Sequence, residues 1–156
     1  MTPVVLDAWK YRLPEGKDDR IALRLAHLER NLPQLGRVMS LHYDILDLHT
    51  GKRAGRLGVR LGESESLFYL GHVGYSVSPD FRGQGYAYRA CTLCLPLFPR
   101  HGMRSLCITT DEDNLPSIRT CEKLGCRYES TVEVPPWCRR LFEISPRKRR
   151  YILLLA

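Results

Sequence analysis

The chain has 156 residues, a formal net charge of +7 at pH 7, 44% hydrophobic residues and six cysteines. That length supports one domain, 1–156, burying about two-thirds of the surface its unfolded chain exposes. Met1–Trp9 lack a basic leader and a long apolar core, and the apolar tail Tyr151–Ala156 is too short for a bilayer, so a cytoplasmic protein with no membrane partner is expected.

In chain order, residues 19–31 place Ile21, Leu25, Leu28 and Leu32 at helical spacing and predict an amphipathic helix. From 39 to 48 the period falls to two, with Met39, Leu41, Tyr43 and Ile45 on one side of a strand. Thr50-Gly51-Lys52 turns the chain, and Leu57, Val59 and Leu61 alternate with Arg56 and Arg60 in a hairpin partner over 55–61. A third strand is expected over 68–77, with Val73, Tyr75 and Val77 on one face, ending at Ser78-Pro79. A helix over about 84–99 should kink or stop at Pro96, which lacks the N–H its turn needs.

Met103–Thr110 reads as a buried strand and Asp111–Asn114 as the loop leaving it. Asn114 suits the N-cap of a helix over 115–124, with Pro116 in its first turn and Gly125 as its stop. Residues 128–134 alternate as a strand before Pro135-Pro136, and 149–155 complete the sheet. The region 134–146 carries no readable motif; Pro135, Pro136 and Trp137 fit either a pocket wall or a rigid turn.

Arg82-Gly83-Gln84-Gly85-Tyr86-Ala87 lies between a strand pattern and a helix pattern. Such a turn gathers backbone N–H groups around an anion at a helix N-terminus, and the spacing fits a pyrophosphate. The glycines permit unusual dihedrals and Arg82 adds fixed positive charge. Cys91 and Cys94 form a CxxC, but zinc needs two further ligands and neither a second CxxC nor an HxxxH pair occurs, so no metal is expected and the thiols are read as reduced and packed. The basic run Arg147-Lys148-Arg149-Arg150 fits a solvated strand entry or a contact to nucleic acid or the ribosome, without the interleaved aromatics of a single-strand binder.

Two segments, GHVGYSVSPDFRGQGYAYRA and TTDEDNLPSIRTCEKLGCRY, together resemble the signature motifs of the GNAT superfamily of N-acetyltransferases. The first matches its acetyl-CoA motif through Arg82, Gly85 and Ala87; the second matches through Asn114, Ser117, Glu122, Lys123, Leu124 and Gly125. Within the superfamily, the first run is most similar to that of the ribosomal-protein alanine acetyltransferases. The resemblance implies an α/β (α+β) fold: a central mixed, mostly antiparallel twisted sheet of six to seven strands, flanked by three to four helices and splayed at the acetyl-CoA site.

It further implies that acetyl-CoA is the acyl donor and that a primary amine attacks it directly in a ternary complex. Val77 would end the strand beside the pantetheine, residues 82–87 would hold the pyrophosphate, and Asn114 and Ser117 would lie near the pantetheine. His72 stands where relatives often have glutamate and is the candidate base, with a sheet-bonded histidine as the plainer reading. Cys121 stands where many relatives have the tyrosine acid; it could protonate a departing thiolate or merely pack, and Tyr75 and Tyr128 are its substitutes. Asp111, Glu112 and Asp113 would attract a cationic amine or lie in a solvated loop. Alternative functions are an acyl-CoA-binding sensor and a basic RNA- or ribosome-associated module. The acceptor, the acyl-chain length and the choice between monomer and homodimer stay open.

Overall fold

The computed structural model describes Leu13 and residues 15–155. Met1–Trp9 and Ala156 therefore lie outside the described residues. Among the described residues seven strands form two antiparallel sheets. The first carries β1 (Ile21–Arg30), β2 (Met39–Asp47), β3 (Arg53–Leu61) and β4 (Val73–Val77) in spatial order 1-2-3-4. The second carries β5 (Ser105–Thr110), β6 (Arg127–Glu133) and β7 (Arg147–Leu154) in order 5-7-6. Among the described residues five α-helical segments connect them: α1 (Leu67–Leu70), α2 (Tyr86–Cys94), α3 (Leu97–Arg100), α4 (Leu115–Lys123) and α5 (Pro136–Phe142). This is the α/β fold that the paired motifs imply, and every ladder within it is antiparallel.

The segment expected to be an amphipathic helix over 19–31 is β1 instead. A register shift between Leu25 and His27 explains the mistaken period. Ile21, Leu23 and Leu25 alternate toward the core; the extra residue at the bulge then moves the next inward position to Leu28. Spacings of two, two and three imitate the three-and-four rhythm of a helix. Asp18 fixes the entry to this strand, its Oδ1 accepting from the N–H groups of Arg20 and Ile21 at 2.7 and 2.8 Å.

The strand expected over 68–77 divides in two. Leu67–Leu70 forms a single helical turn, and β4 begins only at Val73. Gly71 separates them with φ 76°, and a Cβ there would lie 2.9 Å from the Cys107 carbonyl oxygen and 3.0 Å from the Thr109 nitrogen. Farther on, α2 ends at Cys94 and Pro96 opens the separate turn α3, as the proline dictates. Helix α5 replaces the motif-free loop expected over 134–146: Pro136 occupies its first turn, where a missing N–H costs nothing, and Cys138 is buried beneath it.

One apolar cluster joins both sheets to α2 and α4, including Leu41, Leu57, Ala90, Leu106, Ile118 and Tyr151. Each fully buried large aliphatic chain contributes about 1.5–3 kcal/mol. All six cysteines are free, and all but Cys126 are buried. Cys94 donates its thiol to the Cys91 carbonyl at 3.2 Å, and burial pushes its thiol up to about 12, so the CxxC packs.

Between the sheets, the main-chain N–H of His72 donates to the Cys107 carbonyl at 2.7 Å, while no ladder joins β4 to β5 beyond it. Gly71 is what allows this approach. Gly71→Ala should destabilise the protein by about 1–3 kcal/mol through overpacking against backbone, with positive-φ strain added. A fall in the urea midpoint at unchanged m-value would measure it.

Candidate active site

The turn after β4 presents unpaired main-chain N–H groups at a helix start. A short 3-10 segment, Pro79–Phe81, leads to Arg82 in extended conformation, and Gly83 and Gly85 take φ 77° and 74°. A Cβ at either glycine would meet nothing within 4 Å, so they are required for their dihedrals and leave the space above them open. Among the described residues the N–H groups of Gly83, Gln84 and Gly85 have no backbone acceptor, and those of Tyr86 and Ala87 begin α2, where no intrahelical carbonyl is available. Five consecutive amides thus lie at one helix start.

The side chains around this turn hold it in place. Arg82 folds back, its Nε donating to the Val77 carbonyl at 2.9 Å, so Val77 and Arg82 brace one another. Gln84 Oε1 accepts from Arg20 Nη2 at 3.0 Å. The buried Tyr86 donates its hydroxyl to Asp47 Oδ1 at 2.5 Å and stacks near Phe81. This hydrogen bond and those from Thr50 hold the Asp47 carboxyl below the usual range. A neighbouring cleft of about 310 Å³ brings Tyr88 and Lys123 beside Gln84 and Gly85, and Lys123 Nζ lies 4.3 Å over the Tyr88 ring. Lys123 is a cation that the motif match named without placing it at the cradle.

Beyond the His72–Cys107 contact a cleft of about 250 Å³ runs between β4 and β5, with Tyr75, Thr110, Asn114 and Ser117 in its lining. Asn114 caps α4, its Oδ1 accepting from the Ser117 N–H at 3.2 Å. The Ser117 hydroxyl is 2.8 Å from the Tyr75 hydroxyl, and burial pushes that phenol above its ordinary range. Thr110 Oγ1 is buried with no hydrogen-bond partner, an orphan that a ligand's amide or carbonyl would satisfy. On the other face of the first sheet a groove of about 520 Å³ passes His42, Gly58 and Arg60. Cleft and groove share Arg60, Gly74 and Tyr75.

The two residues expected to move protons are engaged elsewhere. His72 is 5% exposed, and its Nδ1 accepts from the Cys107 N–H at 2.9 Å. In the neutral ring Nε2 then carries the proton, and it lies 3.1 Å from both the Gly62 carbonyl and Glu63 Oε1. The ring has no free lone pair for an amine proton, and it lines neither the cleft nor the groove. Cys121 is wholly buried; its contact with Cys126 and its burial push its thiol far above the ordinary range, so it packs. Tyr128 is exposed and bonds Thr131, which leaves Tyr75 as the one tyrosine of those considered that lines the cleft.

The acidic loop and the basic run neutralise each other. Lys148 meets Asp111 at 2.6 Å, Arg147 meets Glu112 at 3.1 Å, and Arg150 meets Glu129 at 2.7 Å. The remaining guanidinium, of Arg149, lies 4.5 Å over the Tyr128 ring. Three of the four basic residues that open β7 are therefore ion-paired with acidic residues outside that strand, and the fourth lies over an aromatic ring.

An amide-rich turn at a helix start, a cleft between parted strands and a capped helix lining that cleft make up the candidate site. The chain belongs to the GNAT acetyltransferases: the family described as Acetyltransferase (GNAT) domain matches residues 7–127. It is similar to the Uncharacterized protein YkkB of Bacillus subtilis (strain 168), 30% identical over 87 residues, covering 55% of this chain and 50% of that protein. The fold is similar to the microcin C7 self immunity acetyltransferase MccE, solved with acetyl-CoA and AMP, at TM-score 0.57 and 19% identity over 74% of this chain and 61% of that one. It is also similar to the ribosomal-protein-S5-alanine acetyltransferase of Vibrio fischeri, at TM-score 0.57 and 18% identity over 74% and 61%. The chain thus spans between half and two-thirds of the length of these relatives. No helix among the described residues is long and apolar enough to cross a membrane.

Two outcomes follow from this geometry. His72→Ala strips partners from a buried amide and carbonyl and should cost about 1–3 kcal/mol in chemical denaturation. Asp47 titrates below its unfolded value, so its stabilisation is present above the ordinary carboxylate pKa and is lost as pH falls through the lowered one. Tyr86→Phe removes the largest cause of that depression and should move the acid-unfolding midpoint to higher pH, as followed by circular dichroism.

Proposed function

We propose that this chain is an acetyl-CoA-dependent N-acetyltransferase acting on a primary amine of a protein, peptide or small molecule. The observations that carry it are five unpaired amides at the start of α2 and a cleft between β4 and β5 lined by Thr110, whose hydroxyl is buried without a partner. The acetyl-CoA in the MccE structure and the alanine acetyltransferase activity named for the Vibrio fischeri protein support the same reading. A single-domain, cytoplasmic enzyme using no resident metal for the transfer is the simplest form of it.

In this reading Gly83–Ala87 bind the pyrophosphate through main-chain N–H groups, and Lys123 supplies a positive charge beside them. Val77 ends the strand beside the pantetheine arm; Asn114 and Ser117 face the arm from α4, and Thr110 meets one of its polar groups. The amine enters from the groove on the opposite face. Its nitrogen attacks the thioester carbonyl, a C–N bond forms, and the C–S bond breaks as the sulfur leaves with the electron pair. Tyr75, kept protonated by burial and oriented by Ser117, gives its proton to that sulfur. The nearest carboxylate in the cleft, Asp111, is held below its usual range by Lys148 and Ser145, which makes it a poor base. The amine therefore sheds its proton to water, and the rate should rise with pH toward the pKa of the amine.

Acetyl-CoA should raise the Tm of the wild-type protein, and Gly85→Val should abolish that rise by denying the turn its left-handed residue. Tyr75→Phe should lower kcat on the order of 10²-fold with little change in acetyl-CoA affinity. Absence of a thermal upshift with both acetyl-CoA and CoA would refute the assignment; full turnover in Tyr75→Phe would refute the role of the phenol alone.

A further inference from the structure

A second cluster, on the open face of the first sheet, has no part in the transfer described above. His27 and Glu29 lie two residues apart on β1, and the bulge after Leu25 turns both away from the core that takes Leu25 and Leu28. His42 of β2 stands opposite His27 in the register. The two imidazoles are stacked, centroids 4.1 Å apart and planes 10° from parallel. Glu29 reaches both rings: Oε1 is 3.3 Å from His27 Nε2 and Oε2 is 3.6 Å from His42 Nε2. One ligand atom from each of the three residues lies within 4.8 Å of the others.

We propose that His27, Glu29 and His42 form a binding site for one divalent transition-metal ion of the zinc class. Adjacent ligands on a tetrahedral ion with bonds of about 2.0–2.1 Å are about 3.3 Å apart, close to the carboxylate–imidazole separations found here. Two imidazoles and one carboxylate are a borderline nitrogen–oxygen set, which suits zinc, nickel or copper and not magnesium or calcium. The side chains are 53%, 36% and 40% exposed for His27, Glu29 and His42, so an ion enters from solvent without opening the fold.

The spacing also explains why the triad is silent in the sequence. His-x-Glu on a strand puts both side chains on one face, and the third ligand comes from across a ladder, not from a nearby chain position. His27 and His42 line the end of the groove whose other end is Gly74 and Tyr75. A three-coordinate protein set leaves positions open toward that groove, for water or for an anionic group on a molecule lying in it.

The test is titration of the purified chain with Co2+ and with Zn2+, independent of any acetyl-transfer assay. One equivalent of Co2+ should give the visible absorption of a four- or five-coordinate nitrogen–oxygen site, displaced by Zn2+. His42→Ala and Glu29→Gln should each weaken binding at least tenfold while circular dichroism stays native; His49→Ala should leave it unchanged. Absence of stoichiometric binding, binding indifferent to both variants, or a thiolate-to-cobalt charge-transfer band would each overturn the proposal.

Discussion

The architecture depends on one junction between two sheets, and a single residue makes it twice. His72 donates its main-chain N–H to the Cys107 carbonyl and accepts the Cys107 N–H on its own Nδ1. Side chain and backbone together do what a ladder would otherwise do, over one residue only. Past this point β4 and β5 part, and the opening between them is the cleft that faces Asn114 and Ser117. A longer ladder would close the cleft; a missing one would leave the sheets to drift. The close approach at Gly71 and the hydrogen bonds on both ring nitrogens serve this joint.

Electrostatics follow a comparable economy. The chain carries +7 overall, yet three of the four residues in the densest basic run are paired with Glu112, Asp111 and Glu129. Arg89 is likewise held by Asp18 and Asp19, each at 2.9 Å. Beside the amide-rich turn the unpaired main-chain N–H groups stand together with the charged side chains of Arg20, Arg82 and Lys123.

The glycine turn and the helix ends are legible in the sequence because their geometry is local. Gly83 and Gly85 announce positive φ, Asn114 announces a cap, and Pro96 announces a helix end; each acts within a turn of itself. Strand β1 was misread because a bulge disguised its period, and α5 was missed because paired prolines look like an ending when they are a beginning. For His72 and Cys121, whether a lone pair or thiol is free depends on what lies across the sheet, and Cys107 and Cys126 do not announce themselves from their own places in the chain. Tyr75 and Tyr128 differ in the partner of each hydroxyl, Ser117 for one and Thr131 for the other, and neither partner can be read from the sequence.

The distribution of sulfur carries a last consequence. Cys91, Cys94, Cys107, Cys121 and Cys138 are sealed from solvent, and Cys126 alone is partly accessible. A thiol-directed reagent therefore meets at most one receptive atom while the fold is closed, and the others become available only when secondary elements separate. Because they are spread over α2, β5, α4 and α5, the order in which they are tagged would chart which parts of the molecule come apart first.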